Sequence, residues 1–142
     1  MFSRIVLAVS AALILTGGAA LAQDVIQTRK AGFDDFKKAM GEIKDAVGKG
    51  DLAAIGPVTD RIDAFAGKIP TLFPPGSDKG KTAAKELIWA NFPDFTAKAQ
   101  DLQTSTKALK VAAASGDKAA TGKAFGTMAD SCKACHQRYR SE

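Results

Sequence analysis

Histidine, tryptophan and tyrosine each occur once in the 142 residues, and cysteine occurs twice. One histidine excludes any site that needs two imidazoles from the same chain. Two cysteines exclude a scaffold stapled by several disulfides. With a single histidine beside them, they fall short of the four or so ligands of a structural zinc site. No Ser/His/Asp set or carboxylate pair suggests acid–base machinery, so an enzyme of that kind is not expected. Period-two alternation is nowhere sustained, which argues against a sheet. No apolar run reaches the ~20 residues of a membrane span. The charge is modest, since 20 Lys and Arg against 15 Asp and Glu leave +5. The basic residues are scattered, so nucleic acid is not an expected partner, and only a weak preference for an acidic one follows.

What is present begins with a leader. Arg4, the apolar run Ile5 to Leu15 and then Ala20-Leu21-Ala22 have the order of a secretory signal peptide over 1–22. Cleavage after Ala22 would leave 23–142 as one domain exported to the periplasm.

The apolar spacing of that domain is helical throughout. Ile26, Phe33, Phe36, Met40, Ile43 and Val47 form one stripe; Leu52, Ile55, Ile62, Phe65 and Ile69 form a second. Phe95, Ala99, Leu102, Leu109 and Ala113 form a third, and Phe125, Met128, Cys132, Cys135 and Tyr139 a fourth. Four amphipathic segments predict an all-α, antiparallel up-down-up-down four-helix bundle. Lys49-Gly50-Asp51 and Ser115-Gly116-Asp117 each predict a glycine that ends one helix in the left-handed region and an aspartate that caps the next. Between Ile69 and Asn91 lie Pro70, Pro74, Pro75, Gly76 and Gly80, which predict a long crossing loop with a helical piece over Ala84–Trp89. Gly56-Pro57 predicts a kink in the second helix or a late start to it.

Chemistry is concentrated in Cys132-Lys133-Ala134-Cys135-His136. Thiols in a C-x-x-C-H pattern can add across the two vinyl groups of one haem, and the adjacent histidine can ligate the iron. A disulfide between Cys132 and Cys135 is the alternative in an oxidising compartment, but its small loop would constrain the unfolded chain weakly. A redox dithiol usually follows a strand, and none is expected here. The pattern therefore favours one covalently bound haem c per chain, with His136 as axial ligand. The third helix is thin, with Thr104, Thr106 and many alanines. A haem between the helices would supply apolar volume that a small bundle lacks, so the haem-free chain is expected to pack poorly.

The position of that motif at the end of the chain resembles the cytochromes c′ and their class II relatives. Arg29-Lys30-Ala31-Gly32-Phe33 is similar to that family's arginine-to-distal-residue element, Trp89 followed by Phe95 to its middle segment, and Ser115-Gly116-Asp117 to its last turn. The low-spin, electron-carrying members have methionine where this chain has Phe33. A phenyl ring has no lone pair to donate, so the resemblance implies a five-coordinate, high-spin iron beneath an apolar cover. NO and CO are the implied ligands; Phe33 gives O₂ no hydrogen-bond donor. A one-electron carrier of low spin is the alternative. Met40 lies seven residues on from Phe33, ~10.5 Å along a helix axis, and Met128 shares a helix with His136; both are expected to be core. Arg29 is implied as a haem-propionate partner and Arg140 as a neighbour of the proximal histidine, against the plainer reading of solvated surface charge for each. Gly32 and Gly126 suggest close approach of backbone to the macrocycle, or helix–helix contact. Beyond a gas ligand, the implied partners are a redox protein and a second copy of the chain in a homodimer.

Overall fold

Helix forms wherever the stripes run. The computed structural model describes residues 17–142, with side chains from residue 23. The predicted leader over 1–22 thus lies outside the described residues, apart from the backbone of 17–22. The elements are α1 (Gly17–Lys49), α2 (Ile55–Lys68), α3 (Leu87–Ala90), α4 (Phe92–Ala114) and α5 (Lys118–Tyr139). Among the described residues no strand forms, and an isolated antiparallel bridge joins Ala84 to Arg140. The four long helices make the predicted bundle. α4 packs along both α2 and α5, whereas α1 lies mainly against α2 and meets α5 less.

The core follows the stripes. All five members of the third, from Phe95 to Ala113, are buried, as are Ile43, Ile55, Ile62 and Met128. Thr106 is buried too, and its hydroxyl is satisfied by the Leu102 carbonyl at 2.7 Å. That hydroxyl also lies 3.3 Å from the Met128 sulfur, which keeps Met128 in the core as expected.

The two similarly spelled joints diverge. Gly50 and Gly116 adopt φ of +79° and +76°, as a helix-ending glycine should. Asp117 caps α5, accepting from the amides of Ala119 at 2.8 Å and Ala120 at 3.0 Å. Asp51 makes no such bond, contrary to expectation. The chain after it runs first into a 3₁₀ turn, Leu52–Ala54, and α2 begins only at Ile55. Pro57 therefore falls in the first turn of α2, where its missing N–H costs nothing. Asp117→Ala is expected to cost about 1 kcal/mol in urea-induced unfolding, and Asp51→Ala much less; equal losses would contradict this account of the caps.

The helical piece of the crossing loop is Leu87–Ala90, later than the predicted Ala84–Trp89. Residues 83–85 are committed elsewhere. The Lys85 amide donates to the Tyr139 carbonyl at 3.0 Å, and the Ser141 amide to that of Ala83 at 2.8 Å. Trp89 pins the loop from the other side, its Nε1 donating to the carbonyls of Phe73 and Pro74, each at 3.0 Å.

Candidate haem site

The last three turns of α5 put Cys132 and Cys135 almost one turn apart, both half-buried and both free thiols. Cys132 Sγ donates to the Met128 carbonyl at 3.3 Å. Burial pushes its pKa up. Burial, and then the neighbouring Cys132, push Cys135 up to about 11. Catalytic and redox cysteines have depressed pKa values and electropositive surroundings, so this pair is not set up as a dithiol catalyst. Among the described residues, no three His, Cys, Asp or Glu side chains gather to hold a metal ion on their own.

His136 stands beside them with part of its ring in solvent. Desolvation of the rest, and then the charge of Arg140, lower its pKa. The neutral imidazole that results keeps the lone pair that an iron ligand needs. Opposite, across the seam between α1 and α5, stands Phe33, its ring centroid 6.3 Å from that of His136 at 66°. Phe33 is held by an edge-to-face contact with Phe65 of α2, at 5.1 Å and 89°. Gly32 explains that contact: a Cβ there would lie 2.1 Å from Phe65 Cε2. The glycine thus serves helix–helix packing, the second of its two expected uses. At Gly126 no protein atom lies within 4 Å of a built Cβ, so helix–helix contact is not its use.

The seam has the character a haem requires. Phe33, Phe36 and Met40 of α1, and Phe125, Cys132 and Cys135 of α5, point along interior stripes yet stay half-exposed, while Ile43 and Met128 are fully buried. Apolar side chains left partly wet between two thiols, a neutral imidazole and a phenyl ring suit a flat apolar group bearing a metal. The residues present therefore fit haem c, with Cys132 and Cys135 to hold it and His136 to reach its iron. An open apolar groove of about 690 Å³, walled by Pro70, Phe73, Pro74, Trp89 and Phe92, lies apart and is not lined by Cys132, Cys135 or His136.

The two arginines differ. Arg29 is not a solvated surface charge: it is 3% exposed. Its Nη2 donates to the Ser77 carbonyl at 2.8 Å and to Thr82 Oγ1 at 2.6 Å, and its Nη1 donates to Ser77 Oγ at 3.1 Å. The guanidinium also stacks over the Phe73 ring at 4.5 Å. Arg140 is exposed, at the end of α5, one turn beyond His136.

Below the site, the buried Tyr139 hydroxyl donates to Asp94 at the start of α4, and Arg138 Nε lies 3.3 Å from the same carboxylate. The bond from Tyr139 is the main reason that the Asp94 carboxyl sits below the ordinary range, with Arg138 and Lys98 adding to it. A depressed folded pKa contributes stability that is complete above the unfolded carboxylate's value, about 3.9, and is lost as pH falls through the folded value. Tyr139→Phe is expected to leave a protein whose melting temperature falls less steeply between pH 5 and 2 than that of the parent. Parallel curves would show that the bond contributes nothing to acid stability.

Phe65, Ser77, Thr82 and Asp94 all shape the site and were not legible as site residues. Each acts through a partner many residues away, and only Phe65, on the second stripe, carried a hint of facing inward.

With this geometry in hand, the comparisons are direct: the family model described as cytochrome c′ matches residues 24–140. The chain belongs to the cytochrome c′ family. A cytochrome c-556 of Agrobacterium fabrum is 35% identical over 89% of this chain and 87% of its own. The cytochrome c′ of Allochromatium vinosum is 31% identical over 84% of this chain and 82% of its own. The crystal structure of cytochrome c′ from Thermochromatium tepidum superposes with a TM-score of 0.77 at 34% identity, covering 85% of this chain and 97% of that one. Cytochrome c′ relatives bind haem c covalently, and this member has both cysteines that the attachment requires. Relatives under two names match at nearly equal identity, so overall similarity does not choose between activities within the family. The residue facing His136 has to do that.

Proposed function

We propose that this member of the cytochrome c′ family is an exported, periplasmic haem protein whose iron is five-coordinate and high-spin, and that it binds NO and CO and sequesters NO. The observation that supports this most is Phe33 facing His136 across the seam, where an electron-carrying member would have a sulfur ligand. Haem, when bound, supplies an iron that can take a diatomic ligand or exchange one electron. The chain does the rest. With haem bound, Cys132 and Cys135 would hold the macrocycle on α5 as thioethers, and neutral His136 would offer its lone pair to the iron. Phe33 closes the other side without a lone pair of its own and without a donor to favour O₂. Arg140 places a cation beside His136, available to a ligand on that face. Arg29 is assigned to a haem propionate alongside the loop oxygens that hold it in this structure.

Relatives supply support of the same kind. A cytochrome c prime variant from Alcaligenes xylosoxidans, 27% identical with a TM-score of 0.76, has been solved as a nitric oxide complex. Another cytochrome c′, 31% identical with a TM-score of 0.79, is described as having ligand-controlled dimer dissociation. We extend both to this chain: a gas ligand, and a homodimer as the second partner. The role is one of binding and redox rather than of catalysis.

Optical spectra of the haem-loaded protein test the reading. A broad high-spin Soret band in the ferric and dithionite-reduced forms, shifted by NO, is the expected result. Sharp low-spin bands indifferent to NO would overturn it in favour of one-electron transfer.

A further inference from the structure

The crossing loop does more than connect α2 to α4. At one end it is gripped by Arg29, whose guanidinium bonds the Ser77 carbonyl, Ser77 Oγ and Thr82 Oγ1. Ser77 is fully buried and donates its hydroxyl back to the Pro74 carbonyl at 2.8 Å. A buried cation needs its donors matched, so this grip has few alternatives. At the other end the loop pairs with the end of α5. Lys85 donates its amide to Tyr139 and its Nζ to the Gln137 carbonyl at 3.3 Å, while Ser141 bonds the Ala83 carbonyl through both its amide and its hydroxyl.

Thr82 joins the two ends. Its Oγ1 accepts from Arg29 and also from the Ala84 amide at 3.0 Å, and Ala84 is the residue bridged to Arg140. A path therefore runs from Arg29 through Thr82 to the Ala84 amide, and the flanking Ala83 and Lys85 peptide groups carry it on to Ser141 and Tyr139 on either side of Arg140. Arg29 lies one turn before Phe33 on α1, and Arg140 one turn after His136 on α5. Those helices touch each other little directly, so their spacing needs another support.

We propose that the loop segment 77–85 is a strut that sets the separation of α1 from the end of α5, with Thr82 as a positioning residue for both faces of the candidate site. The placement of the haem between Phe33 and His136 rests on the reading above; the strut itself does not. Charge-assisted bonds such as those from Arg29 are the strong ones, and removing one acceptor leaves a buried donor unmatched.

The test uses the haem-loaded protein, with Thr82→Val and Thr82→Ser. Thr82→Val is expected to speed amide exchange at Lys85 and Ser141 by about tenfold, with α2 and α4 still protected. It is also expected to shift the Soret maximum of the reduced form, with thioether-bound haem retained, and Thr82→Ser is expected to restore both. Unchanged exchange would overturn the strut. Faster exchange with an unmoved Soret band would reduce the loop to a local clamp and overturn its positioning role. Should Thr82→Val lose its helical circular dichroism, Ser141→Pro cuts the other end by removing one donor, and the same two readouts apply. Both judge the strut whether the iron proves high-spin or low-spin, so its failure is separable from that of the gas-binding reading.

Discussion

Replacing Phe33 by methionine is expected to convert the reduced haem protein from a broad high-spin spectrum to a sharp low-spin one. The side chain at this position faces His136, its ring centroid 6.3 Å from that of the imidazole. It leaves α1 at a point fixed by the packing of Gly32 against Phe65. Methionine is unbranched and flexible enough to find a new rotamer there, and methionine opposite histidine is an established haem pairing. A ligand that must displace the sulfur meets an added barrier, so CO association is expected to slow by about tenfold or more, each tenfold corresponding to about 1.4 kcal/mol. Stopped-flow mixing with CO measures it. An unaltered spectrum would mean that residue 33 does not stand over the iron, and the argument from that position would fall.

A second large effect is expected from Cys132→Ala combined with Cys135→Ala. Haem should stay with the parent chain through a denaturing gel and leave the double variant entirely. The variant should also melt lower by roughly 12–16 °C. That figure takes about 4 kcal/mol of linkage from a tightly held group at about 3–4 °C for each kcal/mol in a domain of this size. The physical cause is the seam, where Phe33, Phe36, Met40 and Phe125 stay partly wet although Ile43 and Met128 on the same stripes are fully buried. Scanning calorimetry of haem-free and haem-loaded protein measures the difference, and equal melting temperatures would show that the bundle needs nothing in that seam.

Periodicity was a sound guide to the long helices because their faces are set by neighbours three and four residues apart. The third stripe was buried in full, and the attachment motif was readable because its chemistry is local. What escaped was decided at long range. Arg29 looks like a surface charge until Ser77 and Thr82, some fifty residues on, fold back over it. Asp51 and Asp117 stand in similar strings, yet only Asp117 caps, because the chain after Asp51 makes a 3₁₀ turn before the α-helix begins. The short helix of the loop started late because residues 83–85 had already found partners in residues 139–141. Gly32 could be read as unusual in a helix, but whether a ring or a macrocycle lay against it depended on α2.

Burial, which pushes the pKa of Cys135 up to about 11, favours haem attachment before the bundle closes. At pH 7 a thiol of that kind is ionised in roughly one molecule in ten thousand, against about one in thirty for an open chain. Folding first would therefore bury the sulfurs that the proposed attachment uses. α4 packs along α5 far more extensively than α1 does, so the α1 side of the seam is the more open route to the thiols.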